Sequence, residues 1–345
     1  MRSNRNNPDW WQELDDNPNL EAPDLPRHSR SNGKKPYKVK RLAVELEPDL
    51  AQQSEREANF HFSYNASRHE RQGILDSLGT FYEGHWFDDV LRLLQGGKEA
   101  SVYQCAAHPS SGVDYLAAKI YRPRQFRQLK KDHIYREGRA NLDANGHEVL
   151  DGGMQHAMDR RTGYGLKLLH TSWIEHEYQT LEILHAAGAD VPEPYARGDN
   201  TILMEYIGGD VMPAPILNSV ELTTNEARQL FQRVQHNIEL MLAHQRVHGD
   251  LSAYNILYLV DEIVLIDFPQ AINPLENRNA YLIFERDVRR VCEYFARQGV
   301  RSQPAKLAAD LWTAYRYRRT PEIHPALLDV DDERDRQIWQ QQQKE

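Results

Sequence analysis

At 345 residues, with 40% apolar and 27% charged side chains, the chain is long enough to build two lobes around real cores. Its net charge of −9 excludes a protein that binds nucleic acid over its whole surface, and no apolar run approaches the roughly 20 residues of a membrane span. Two cysteines, Cys105 and Cys292, exclude a disulfide framework or a Cys-rich zinc site and predict buried, reduced thiols.

Residues 1 to about 60 are rich in Asn, Pro, Asp and charge and lack periodicity, which predicts a weakly ordered tail. The opening MRSNRNNPDWWQELDDNPNL has no apolar stretch after its basic residues, so it predicts no secretory signal and a cytosolic protein. One segment inside this tail, RHSRSNGKKPYKVKR at 27–41, is basic and reads either as a solvated arm or as a contact for RNA or a ribosomal particle. DDVLRLLQ (88–95), ASVYQCAA (100–107) and YLAAKIY (115–121) are strand-like, with GGKE and HPSSG as turns, and predict a three-strand antiparallel meander.

Residues 122 to about 170 are charged and dotted with Gly, and predict a long connection that is functional or mobile. SWIEHEYQTLEILHAAG predicts a helix that starts at a Ser172/Glu175 capping box and stops at Gly188. On it Ile174, Glu177, Leu181 and Leu184 share one face, whereas Glu175, Gln179 and Glu182 share another. TILMEYIGG (201–209) predicts a strand ending in a Gly pair, and 222–247 a long helix capped by Thr223 and Glu226. ILYLVDEIVLIDF predicts two short strands joined at Asp-Glu, residues 281–318 mostly helix, and DDERDRQIWQQQQKE a second weakly ordered end. Strands first and helices second predict an α+β fold, a sheet lobe followed by a helical lobe.

Three groups of residues carry chemistry. In VHGDLSAYNIL, Asp250 precedes Asn255 by five positions, and Asp267 follows a strand hairpin. Phosphoryl transfer from ATP needs a carboxylate at the acceptor hydroxyl and hard oxygen ligands for a divalent cation, and Asp, Asn and Asp supply them in this order. In QGGKEASVY, Gly96 and Gly97 let backbone approach phosphates and Lys98 can reach their charge; no GxxxxGK[ST] pattern is present, so this is not a P-loop. Lys119 stands among the apolar residues of AAKIY, where an ammonium is costly unless paired, and the inward-facing Glu177 is its natural partner. HQRVH (244–248) has the spacing of a helical zinc motif, but Gln245 replaces the general-base Glu, which excludes a metalloprotease.

Together GGKEASVY, AAKIY, WIEHE, VHGDLSAYNIL, IDFPQA and ERDV (285–288) resemble, in order and over roughly two thirds of the chain, the RIO-type atypical protein kinases. The resemblance implies a bilobal kinase-like fold whose reduced helical lobe lacks a full activation segment, since Arg286 follows Asp267 by only 19 positions. It implies a tail over 1–60, a sheet lobe over 61–207 that includes a flexible loop at 122–170, a helical lobe over 208–320 and a tail over 321–345. It implies Asp250 as catalytic base, Asn255 and Asp267 as ligands of Mg²⁺ or Mn²⁺, and Lys119 with Glu177 orienting the phosphates of ATP. Gly96, Gly97, Lys98 and Ser101 would cover those phosphates, and Met204, Glu205 and Ile207 would line the adenine site.

The expected activity is an ATP-dependent serine/threonine kinase that autophosphorylates, or an ATPase in which Asp267 itself accepts phosphate. The alternatives are an ATP-switched factor in small ribosomal subunit maturation and a small-molecule phosphotransferase of the aminoglycoside or choline kinase type. Ser101 departs from the Asn or Asp common at its position, Phe268-Pro269 replaces the Phe-Gly of ordinary kinases, and Gly249 replaces the Arg that reads a phosphorylated activation loop.

Overall fold

A computed structural model describes residues 60–122, 132–319 and 331–342, so the basic segment 27–41 and most of the expected N-terminal tail lie outside the described residues. The first element of the described residues is a helix left unassigned from the sequence, although Ser67 and Glu70 have the spacing of a cap and Ile74, Leu75, Leu78 and Phe81 that of one helix face. In α1 (Arg68–Glu83) the Ser67 hydroxyl accepts from the Glu70 amide and the Glu70 carboxylate accepts from the Ser67 amide, a reciprocal cap. Its buried residues Ile74, Leu75, Leu78 and Phe81 pack with Phe87, Val90 and Leu116 into the core behind the sheet.

That sheet is antiparallel in the order β1-β2-β3-β5-β4, from β1 (Phe87–Gly96), β2 (Ala100–Ala107), β3 (Tyr115–Tyr121), β4 (Pro194–Arg197) and β5 (Thr201–Glu205). The predicted meander is therefore present, and β5 pairs directly with β3, placing Ile202 opposite Lys119. Alternation along β3 sends Leu116 and Ala118 into the core behind the sheet, and Ala117 and Tyr121 into a second cluster with Trp173, Ile174 and Tyr178. Lys119 shares the second face, so the strand's own period aims its ammonium at the helix opposite.

The connection between β3 and β4 differs from the expected loop. Apart from 123–131, which lie outside the described residues, it holds α2 (Asp132–Arg136), an isolated bridge between Leu142 and Glu148, and α3 (Gly152–Asp159). The next helix, α4 (Gly163–Ala186), begins nine residues before Ser172, at an N-cap Thr162 whose hydroxyl accepts from the Gly165 amide. Ser172 and Glu175 form no cap. Both are buried in mid-helix, where the Ser172 hydroxyl accepts from the Leu142 amide at 2.9 Å and Glu175 pairs with Arg197 of β4. Burial pushes the Glu175 carboxyl above its ordinary value, and the Arg197 guanidinium only partly offsets this. A serine three residues before a glutamate reads the same at a helix start and inside it, which is why the pattern misplaced the boundary. Gly165 lets the first turn of α4 pass close to α3: a Cβ there would lie 1.8 Å from the Ala157 carbonyl oxygen.

The helical lobe follows the prediction closely. α5 (Thr224–Ala243) carries the Thr223/Glu226 capping box and buries Leu230, Val234, Ile238, Met241 and Leu242; it stops four residues short of Val247, which pairs with Ile272 in an isolated bridge. The hairpin β6 (Ile256–Leu259) and β7 (Glu262–Leu265) turns at Val260 and Asp261, which both have positive φ, so the turn sits one residue earlier than expected. Then come α6 (Ala280–Arg297) and α7 (Pro304–Ala314), whose Trp312 closes the lobe's core. The chain end, expected to be weakly ordered, holds α8 (Glu333–Gln342), where Asp335 accepts from Arg278 at 2.9 Å. The architecture is thus bilobal α+β, and among the described residues no helix is long and apolar enough to cross a membrane.

Candidate active site

Lys119 reaches the helix opposite it. Its Nζ donates to Glu177 Oε1 at 2.6 Å and to Asp267 Oδ1 at 2.6 Å, so one ammonium joins the sheet, α4 and the strand hairpin of the helical lobe. Burial alone would drag this ammonium down; Asp267 and Glu177 outweigh it and hold the group above its ordinary value. The second oxygen of Glu177 accepts from the Tyr121 hydroxyl. Tyr121 stands two residues beyond Lys119 on the same face, edge-on to Trp173 at 5.0 Å between ring centroids.

Asp267, two residues beyond β7, has φ 72°, a left-handed conformation that Asp tolerates better than most residues. Desolvation acts to raise its carboxyl, but the Lys119 ammonium prevails and holds it below the ordinary value. His248 ties the loops together: its Nε2 donates to the Ile266 carbonyl at 3.1 Å, its Nδ1 accepts from the Asp250 amide at 3.3 Å, and its ring lies 4.5 Å from that of Phe268.

Asp250 and Asn255 meet as their spacing suggests. Asn255 Nδ2 donates to the Asp250 carbonyl at 2.9 Å and to Asp250 Oδ2 at 3.2 Å. With its NH₂ committed there, the amide oxygen is the atom of Asn255 able to coordinate a cation. The other carboxylate oxygen, Oδ1, accepts from Arg290 NH1 at 2.8 Å. The loop backbone is clamped from α6: the Gly249 amide donates to Asp287 Oδ2 at 2.9 Å and the Gly249 carbonyl accepts from Arg286, which also donates to Asp287 Oδ1 at 3.0 Å. Burial lifts the Asp287 carboxyl above its ordinary value despite the Arg286 guanidinium.

Gly249 itself has φ 83°, and a Cβ there would stand 2.2 Å from the Gln270 carbonyl oxygen. Gly249→Ala is expected to cost about 3 kcal/mol, combining an unfavourable backbone region with a clash against main chain. Urea denaturation of the two proteins measures it, and a loss under about 1 kcal/mol would contradict this account of the loop.

A cavity of about 570 Å³ lies between the lobes, a size suited to a nucleotide. Of the residues expected at the site, Gly97, Lys98, Lys119, Glu177, Met204, Glu205, Ile207, Asn255 and Asp267 line it. Gly96 and Ser101 do not; they are cross-strand partners on β1 and β2. Asp250 sits outside the lining too, one hydrogen bond away through Asn255. The Ile207 carbonyl already accepts from the Ala214 amide at 3.0 Å, and the Glu205 amide donates to the Glu193 carbonyl at 2.8 Å.

Sequence reasoning missed the apolar walls, Val102 and Ala117 from the sheet and Leu257 and Ile266 from the hairpin. The period-2 pattern of the strands carries that signal. It also missed Arg290, which lies one helical turn beyond Arg286 and so on the same side of α6.

The donor chemistry suits a divalent cation. Asn255 and Asp267 offer hard oxygens, and a cation of the Mg²⁺ type takes few protein ligands beside phosphate oxygens and water. Among the described residues no group of three or more His, Cys, Asp or Glu forms a metal cluster.

Comparison with known proteins identifies the family to which the chain belongs. The family model described as RIO domain matches residues 101–307, which leaves β1 and the glycine pair outside the match. The chain is 29% identical over 205 residues to a human protein named serine/threonine-protein kinase RIO1, covering 59% of this chain and 33% of that one. It is 30% identical over 205 residues to RIO-type serine/threonine-protein kinase Rio1 of Haloferax volcanii, covering 59% and 62%. To the protein of that name from Methanocaldococcus jannaschii it is 27% identical over 261 residues, covering 73% and 76%. The match thus spans a third of the human relative and under two thirds of the Haloferax one.

Proposed function

Because the chain belongs to the RIO domain family, we propose that it is an ATP-dependent serine/threonine protein kinase, with hydrolysis through Asp267 as a second outcome of the same site. The observation that carries this reading is the single ammonium of Lys119 bonded at 2.6 Å to both Glu177 and Asp267. That contact gathers the sheet, α4 and the hairpin at one point of a nucleotide-sized cavity.

In this reading Lys119, held by Glu177, orients the α- and β-phosphates; Val102, Ala117, Met204 and Leu257 enclose the base; and Gly97 and Lys98 lie over the phosphates. Asn255 and Asp267 would hold Mg²⁺ or Mn²⁺, which would supply positive charge to offset that of the transferred phosphoryl group. Asp250 accepts the proton of the acceptor hydroxyl. Only 19 positions separate Asp267 from Arg286, which leaves no room for an activation segment of ordinary length, so phosphorylation of such a segment is not part of the scheme. The protein works in the cytosol, an assignment supported by buried, unpaired Cys105 and Cys292. The basic charge of 27–41 supports a contact with RNA or a ribosomal particle.

The test is to incubate the full chain with Mg²⁺ and γ-labelled ATP, then treat the denatured protein with hydroxylamine. Label that survives lies on a hydroxyl and supports kinase chemistry; label that is released lies on a carboxyl and supports the Asp267 route. Absence of both label and released phosphate would overturn the proposal.

A further inference from the structure

Asp250 is held by two unequal bonds. Oδ1 receives a charge-assisted bond from Arg290 NH1 at 2.8 Å, whereas Oδ2 receives a longer one, 3.2 Å, from the neutral amide of Asn255. The same NH₂ also donates to the Asp250 carbonyl at 2.9 Å, so Asn255 is held to this residue by a second bond that does not involve Oδ2. The guanidinium comes from α6, the helix whose Arg286 and Asp287 already fix the Gly249 backbone. One rigid element therefore sets both the path of the loop and the rotamer of its carboxylate. The Arg290 side chain is 23% exposed and that of Asp250 41%, so the pair stands at the edge of the site, where the carboxylate still meets solvent and an approaching acceptor.

We propose that Arg290 is a positioning residue for phosphoryl transfer: by occupying Oδ1 it leaves Oδ2 as the oxygen that faces the acceptor. The inference rests on the reading of Asp250 as the base. In the step itself the acceptor O–H bond breaks and its proton passes to Oδ2, the acceptor oxygen bonds to the γ-phosphorus, and the bond from that phosphorus to the bridging oxygen breaks, releasing ADP. Displacing Asn255 from Oδ2 costs little, because Asn255 keeps its bond to the Asp250 carbonyl. Displacing Arg290 from Oδ1 would break the shorter, charge-assisted bond. A lysine at 290 would keep the charge without the planar fork that fixes the carboxylate's direction.

The experiment compares Arg290→Ala, Arg290→Lys and Asp250→Asn in the full chain with Mg²⁺ and ATP. Arg290→Ala is expected to lower kcat on the order of 10- to 100-fold with the ATP KM within about twofold of the parent, the signature of a misaimed group rather than a lost binding contact. Millimolar methylguanidinium should restore part of that loss in Arg290→Ala and none in Asp250→Asn, and Arg290→Lys should fall between parent and Ala variant. The proposal is overturned if Arg290→Ala keeps kcat within twofold, if its kcat rises, or if its loss comes without rescue and Arg290→Lys matches the parent. Where Asp250→Asn loses turnover and Arg290→Ala does not, only this inference fails; where Asp250→Asn is as active as the parent, the reading of the base fails and takes this inference with it.

Discussion

Asp250→Asn is expected to lower phosphoryl transfer on the order of 10²- to 10⁴-fold while nucleotide affinity stays close to that of the parent. Asn has the shape of Asp and keeps one oxygen, so it can still accept from Arg290, but it cannot take up the acceptor's proton at neutral pH. Asp250 also lies outside the lining of the cavity, so the substitution removes no contact to the nucleotide. Asp267→Asn is different, because Asp267 lines the cavity and bonds Lys119. That variant should lose turnover and metal-dependent nucleotide affinity together. Fluorescent-nucleotide titration beside steady-state turnover separates the two patterns, and equal losses of affinity in both variants would refute the division of roles.

Lys119→Met is expected to cost about 3 kcal/mol in folding stability, at the low end of the range for removing one partner of a buried ion pair. Methionine fills the volume but leaves Glu177, 1% exposed, facing the Tyr121 hydroxyl without its cation. The sign of the pH dependence follows from Asp267. Its folded carboxyl sits below the ordinary value of 3.8, so it contributes stability above that pH and loses it as the pH falls through the folded value. The variant lacks this contribution. The gap between parent and variant should therefore be largest near neutrality and narrow below about pH 4. Urea denaturation at pH 7 and in acid measures it; a gap that widens in acid would contradict the assignment of Lys119 as the cation that depresses Asp267.

Much of this site was legible because its chemistry is expensive. A lysine inside AAKIY must find an anion, and Glu177 on the apolar stripe of α4 must find a cation, so solvation alone joins residues 58 positions apart. Asp250 and Asn255 are close in sequence, and a hairpin of known length delivers Asp267. The failures lie where local pattern is degenerate. Ser172 and Glu175 mimic a helix start, yet each is used for a tertiary contact, with Leu142 and Arg197, that no window of sequence contains. α1 has a cap and an apolar stripe, but Gly73 and Gly79 inside it speak against a helix, and packing on a core assembled from distant strands overrides them. Nothing local marks Arg290, because only the folded chain brings α6 against the loop at 249–250.

The attachments of α4 have a consequence for control. Glu177 is bound by β3, Glu175 by β4, and Ser172 and His176 by the backbone at Leu142 and Ala140. Desolvation of the half-buried His176 imidazole, with Arg139 nearby, pushes it down to about 3, so it stays neutral at physiological pH and this anchor does not titrate there. A rod bolted to the frame from several directions keeps Glu177 beside Lys119, so swinging this helix in and out is not the expected means of control.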